Sequence, residues 1–132
     1  MSRYDDFNEF RSRLNCRILG DEAQRGTAPD GSPRPGGTLV TKRFFNLDGK
    51  AYEDGALDAA TKELLGLSAS AVLRCDDCIA YHIDRCVELG CSDEQIIETL
   101  DIALIVGGSI VIPHLRRAYE FLDACRDARA TN

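Results

Sequence analysis

No apolar run in the 132-residue sequence approaches the ~18 residues that a membrane-spanning helix needs. The first twenty residues also lack the apolar segment of a secretory leader, because Arg3, Asp5, Asp6, Glu9, Arg11, Arg13 and Arg17 are spread through them. A basic cluster is missing too. The 22 Asp and Glu stand against 16 Lys and Arg, a formal charge of -6, which leaves no footprint for phosphate backbones or anionic lipid and argues against nucleic acid and membrane as partners. Nothing alternates with the two-residue period of a strand, and no internal repeat appears. These absences leave a cytoplasmic, all-α protein as the expectation. A single domain over 1–132 is long enough to bury about two-thirds of the surface its unfolded chain exposes.

Helical periodicity is what the sequence does contain. Tyr4, Phe7, Phe10, Leu14 and Ile18 recur at steps of three and four, with acids early and bases late, and predict a helix over about 3–19. Residues 26–38 hold four Gly and three Pro in thirteen positions, which excludes helix or strand and predicts a flexible loop. Val40, Phe44 and Leu47 suggest a short helix within 39–53, although Asp48-Gly49 and Asp54-Gly55 read as turns. From Leu57 onward Ala60, Leu64, Leu67 and Ala71 form a stripe, with small residues (Ala59, Gly66, Ser68, Ala69, Ser70) that let neighbours approach. A helix over about 76–89 should end at Gly90. Ser92 and Gln95 form a capping-box pair opening the next, whose apolar residues (Ile96, Ile97, Leu100, Ala103, Leu104, Ile105, Val106) spread all round and predict a central, buried helix. After Gly107-Gly108, the residues Leu115, Ala118, Tyr119, Leu122 and Cys125 give a last helix, with Pro113 near its start.

Chemistry concentrates in RCDDCIAYH, Arg74 to His82. On a helix at ~100° per residue, Cys75, Cys78, His82 and Cys86 fall within an arc of about 80° facing the core. Three readings compete. As zinc ligands the four have the right types, but one helix face cannot wrap a closed tetrahedral site, and a second CxxC is absent. As inert core residues, cysteines are small hydrophobes, the reading adopted for Cys16, Cys86, Cys91 and Cys125. The third reading is a redox dithiol of Cys75 and Cys78, since a cytoplasmic setting keeps six irregularly spaced cysteines from being a secreted disulfide framework.

Magnitudes show that helix position alone does not make these thiols good nucleophiles. A helix N-terminus contributes about 0.3–1 kcal/mol, and one pKa unit is about 1.36 kcal/mol, so a thiol near ~8.5 moves by less than about one unit. Asp76 and Asp77 on the same turn oppose the shift. A base is needed. His82, four residues after Cys78, can act directly or through one water, but an imidazole in an apolar core needs a partner. Glu63 sits at the edge of the apolar stripe, where pattern alone leaves open whether it points inward or into solvent. His114, after Pro113, reads as a packing or cap residue.

The run Asp54 to Leu100 resembles the carboxymuconolactone decarboxylase and alkyl hydroperoxidase D family. The match rests on a glutamate in a TKEL segment (Glu63), a twelve-residue step to CxxC (Cys75, Cys78), and a histidine four residues beyond the second cysteine (His82). The resemblance implies an all-helical domain with an antiparallel helical hairpin at its core and assembly into homotrimers or homohexamers. It also implies a redox-active Cys75/Cys78 pair with a proton relay through His82 to Glu63. No bound cofactor is implied. The expected electron source is an external thiol, with a peroxiredoxin or a lipoyl- or thioredoxin-type reductant as partner and a peroxide or disulfide as substrate. In the peroxidase route, the Cys78 thiolate attacks peroxide and Cys75 resolves the sulfenic acid; in a disulfide-reductase route, Cys75 makes the mixed disulfide. One departure stands out: the peroxidase branch often has a histidine before the second cysteine, and Asp77 occupies that place here. A second relay histidine is missing, which points to slow peroxide turnover or a different physiological oxidant. Two alternatives from other classes are a lactone decarboxylase using His82 or His114, which would not depend on the CxxC, and a non-catalytic metal-binding oligomer.

Overall fold

The Ser2 hydroxyl accepts the Asp5 N–H while the Asp5 carboxylate accepts the Ser2 N–H, and this reciprocal cap starts helix α1, Arg3–Ile18. The structure, a computed structural model describing residues 2–130, continues with a 3-10 turn at Glu22–Gln24 and helices α2 (Leu39–Ala51), α3 (Ala59–Val72), α4 (Asp76–Glu88) and α5 (Asp93–Gly107). A second 3-10 turn at Ser109–Val111 leads into α6, Ile112–Ala130. No strand occurs among the described residues, so the fold is all-α. None of the described helices is long and apolar enough to cross a membrane.

The described residues divide into two compact units, one up to Ala51 and one from Tyr52 onward. In the first, residues 26–38 form neither helix nor strand, as their Gly and Pro content requires. Backbone bonds nevertheless give this loop a definite shape: Ala28 N–H donates to the Ser32 carbonyl (2.8 Å) and Arg34 N–H to that of Gly26 (3.1 Å). Helix α2 runs straight through Asp48-Gly49, so that turn signal was overridden.

In the second unit α3 packs against both α4 and α5, and α4 against α6. Asp58 caps α3 by accepting the Thr61 N–H, and Asp54 accepts the Ala59 N–H at 2.7 Å. The core is Leu67 and Ala71 from α3, Ile79, Ile83, Cys86 and Val87 from α4, Ile96, Leu100 and Ala103 from α5, Val111, and Ala118, Phe121, Leu122 and Cys125 from α6. Pro113 is the second residue of α6, where a missing N–H costs nothing.

One expectation fails. Helix α5 is not central: Ile102, Ile105 and Val106 are exposed, Ile105 by 83%. An apolar helix needs cover on every side, but periodicity does not say whether the cover belongs to the same chain. Here α3 covers one face, and the opposite face is left open. Tyr119 on α6 is likewise exposed.

Candidate functional site

Three residues, 73–75, join α3 to α4. Arg74 N–H donates to the Ala71 carbonyl (3.0 Å) and Cys75 N–H to that of Ser70 (3.0 Å), the paired bonds that close a helix C-terminus around a left-handed residue. That residue is Arg74, at φ 59°, the one non-glycine with positive φ among the described residues. A side chain there costs on the order of 1–2 kcal/mol relative to glycine. The turn delivers Cys75 directly onto the start of α4. Its sulfur is the N-cap, accepting the Cys78 N–H at 3.3 Å. Cys75 and Cys78 are joined as a disulfide, with Cα atoms 5.3 Å apart. In the reduced state the same N–H and the helix's positive end face the Cys75 sulfur, an arrangement that favours thiolate.

One turn further along α4 lies His82, buried. Its Nδ1 is 2.7 Å from Oε2 of Glu63, which projects from α3 with 1% exposure. The other carboxylate oxygen, Oε1, faces Nε of Arg85 at 3.7 Å. Both oxygens of a desolvated carboxylate thus meet donors, the condition under which such a charge is tolerated. An ionised Glu63 takes the hydrogen bond from Nδ1, leaving the Nε2 lone pair as the basic position. That nitrogen looks toward Gly66. A Cβ at Gly66 would lie 2.9 Å from His82 Nε2, 2.7 Å from Cε1 and 2.8 Å from the Tyr52 hydroxyl, so only glycine leaves room for both rings. Tyr52 and Tyr81 flank the imidazole, with centroids 5.4 and 5.2 Å away.

The four residues singled out from sequence therefore form two directly bonded pairs, Cys75 with Cys78 and His82 with Glu63. Among the described residues no direct hydrogen bond joins His82 to either sulfur. Tyr52, Gly66 and Arg85 were missed. The small residues of α3 were noted, but as helix contacts; at Gly66 the close neighbours are an imidazole and a phenol instead.

His114 corrects another expectation. It neither caps its helix nor merely packs: its Nδ1 is 2.7 Å from Oδ1 of Asp76, while Arg117 Nε donates to Oδ2 at 2.9 Å. Burial works to raise the Asp76 carboxyl, but these two partners outweigh it and hold the group below the ordinary carboxylate range. The charge that seemed to oppose thiolate formation is thus neutralised by α6. Asp77 stays exposed.

Cys86, Cys91 and Cys125 are buried thiols. Burial pushes Cys125 up to about 12 and raises Cys86 and Cys91, which keeps all three protonated at neutral pH. No group of three or more His, Cys, Asp or Glu among the described residues is arranged to hold a metal ion.

Comparison with known proteins places this geometry in context. The profile of the carboxymuconolactone decarboxylase family matches residues 39–121. A crystal structure of a protein of that family from Thermotoga maritima, named as a candidate for involvement in an antioxidative response, shares 54% identity and superposes with a TM-score of 0.80, covering 96% of this chain and 94% of that one. Another family protein, from Legionella pneumophila, shares 25% identity with a TM-score of 0.68, over 92% of this chain and 97% of that one. An uncharacterised protein of Cupriavidus necator is 32% identical over 111 residues, 84% of this chain and 94% of that protein.

Proposed function

The chain belongs to the carboxymuconolactone decarboxylase family, and on that premise we propose that it is an antioxidant thiol oxidoreductase that reduces an organic hydroperoxide or a disulfide through Cys75 and Cys78. The observation that carries this reading is the buried Glu63–His82 bond one helical turn from the cysteine pair. Glu63 holds the imidazole in the tautomer whose Nε2 can accept a proton, and a water carries that proton from Cys78. The Cys78 thiolate then attacks the distal peroxide oxygen. The O–O bond breaks, the alkoxide takes a proton from His82 and leaves as alcohol, and Cys78 becomes a sulfenic acid. Cys75 attacks that sulfur and water departs, which gives the disulfide. Two thiols of an external donor restore the dithiol by exchange, with Cys75 the sulfur they attack. A lipoyl- or thioredoxin-type protein has the chemistry to be that donor, and no bound cofactor takes part. The disulfide of a peroxiredoxin is the substrate in the disulfide-reductase route, where Cys75 makes the mixed disulfide. The site is proposed to work within a homotrimer or homohexamer in the cytoplasm.

Peroxide consumption with a dithiol donor tests the reading. Cys78→Ser should abolish turnover, and undiminished consumption by that variant would overturn it. A lactone decarboxylase would instead release CO₂ from a carboxylated lactone, and would do so equally well in Cys78→Ser.

A further inference from the structure

The end of α4 repeats the turn that ends α3, with one difference. Gly90, at φ 86°, is the left-handed residue; its N–H donates to the Val87 carbonyl (3.1 Å), and Cys91 N–H donates to that of Cys86 (2.9 Å). In this motif the side chains at the two ends of the bond that spans five residues frequently come into contact. At the end of α3 those positions hold Ser70 and Cys75. At the end of α4 both hold cysteine. The 2.9 Å bond, extended by the backbone bonds on either side of it, keeps the two Cα atoms no more than about 6.8 Å apart. That lies within the ~4.4–6.8 Å range of disulfides. Both residues are sealed from solvent, at 0% and 5% exposure.

We propose that Cys86 and Cys91 are a second redox centre, a dithiol that a low-molecular-weight disulfide oxidises to an intrachain disulfide independently of Cys75 and Cys78. Cys91 is the entry point. It is the less buried of the two, and Arg126 from α6 holds it by donating to its carbonyl (2.8 Å) while also bonding Asp93 (2.8 Å). Burial raises both thiols, Cys86 the more, whereas the Arg126 cation favours the Cys91 thiolate. The Cys91 thiolate attacks one sulfur of the small disulfide, whose S–S bond breaks and whose other half leaves as a thiol with the proton Cys91 shed. Cys86 then loses its proton and displaces the second half from the mixed disulfide. The protein gives up two electrons and two protons, and the small disulfide becomes two thiols. Both sulfurs must first be uncovered by fraying of the α4 terminus, so the reaction runs over minutes to hours. The centre therefore records sustained disulfide stress and not single turnovers. Direct exchange with the other pair is excluded by distance, because Cys78 and Cys86 are eight residues apart on one helix, about 12 Å.

Free-thiol mapping of the intact chain tests this. With Cys75–Cys78 oxidised, four cysteines remain free: Cys16, Cys86, Cys91 and Cys125. The chain is incubated with oxidised glutathione, denatured, alkylated and digested for mass spectrometry. The expected result is a peptide cross-linked between Cys86 and Cys91, reversed by dithiothreitol, with Cys125 still alkylated. Alkylation of both Cys86 and Cys91 after the partly buried Cys16 has become glutathionylated would overturn the proposal, as would a bond from either to Cys125. The same mapping on Cys75→Ser/Cys78→Ser should give the same cross-link. Its loss there would show that the two centres are not independent and would likewise overturn it. Peroxidase activity enters neither readout, so the proposed function can fail without affecting this one.

Discussion

Glu63 illustrates how a single side chain can be costly in one context and useful in another. A carboxylate with 1% exposure is tolerated because His82 and Arg85 meet its two oxygens, and removing either partner leaves one buried oxygen without its donor. Gly66 is the residue that makes the arrangement possible. Gly66→Ala places a Cβ within 2.9 Å of both His82 and Tyr52. The Tyr52 tip can swing aside, but His82 is held by Glu63. We expect a loss of about 1–3 kcal/mol in urea unfolding, accompanied by a fall in turnover. A variant as stable and active as the parent would show that the imidazole is free to move. Cys75, Cys78 and His82 were legible as candidates from spacing alone. Glu63 was a candidate whose direction the spacing left open until the family pattern favoured it, because a helix wheel cannot tell an edge carboxylate that turns inward from one that turns out. Tyr52 carried no signal at all: its contact with His82 exists only because position 66 lacks a side chain.

At the level of elements, the α3–α4 hairpin and the contact of α4 with α6 set the position of the cysteine pair. Arg74 occupies a left-handed position that glycine fills at Gly90. Arg74→Gly removes a backbone cost of about 1–2 kcal/mol but adds about 0.5–1 kcal/mol of unfolded-chain entropy, so it should stabilise the chain by about 0.5–1 kcal/mol in denaturant unfolding; a destabilised variant would mean that the guanidinium makes up for the backbone cost. The α4–α6 contact has a pH signature. Asp76 titrates in the folded chain below its unfolded value near ~3.9. The stability it contributes is thus present above about pH 4 and lost as pH falls through the lowered folded value. Because the Asp76 side chain is 42% exposed, the effect stays under about 1 kcal/mol. Thermal melts of the parent and Asp76→Asn should differ near about pH 6 and converge near about pH 2; a gap that persists in acid would contradict this role. The helices themselves were readable from their periodicity and caps, since Ser92–Gln95 and Gly90 act as expected. The tie from His114 to Asp76 spans 38 positions, and local pattern does not reach that far.

For the whole molecule, the open face of α5 is the feature that the chain alone leaves unexplained. Ile102, Ile105, Val106 and, beyond the helix, Ile110 are exposed, more apolar surface than a helix presents to water without a partner. We propose that this face is covered in a homotrimer or homohexamer. Ile105→Glu should then lower the mass seen by analytical ultracentrifugation, and an unchanged mass would place the interface elsewhere. The sequence carried the apolar content of α5 but not its direction, since burial in one chain and burial between chains leave the same pattern. The most direct test of the thiol chemistry is a single turnover. The reduced chain is mixed with one equivalent of an organic hydroperoxide, and the formation of the Cys75–Cys78 disulfide is followed by quenched-flow mass spectrometry in the parent and in His82→Ala. The expected result is one disulfide per peroxide in the parent and a rate about 10²–10⁴-fold lower in the variant. Equal rates, or consumption of peroxide without that disulfide, would contradict the relay from Glu63 through His82 to the cysteine pair.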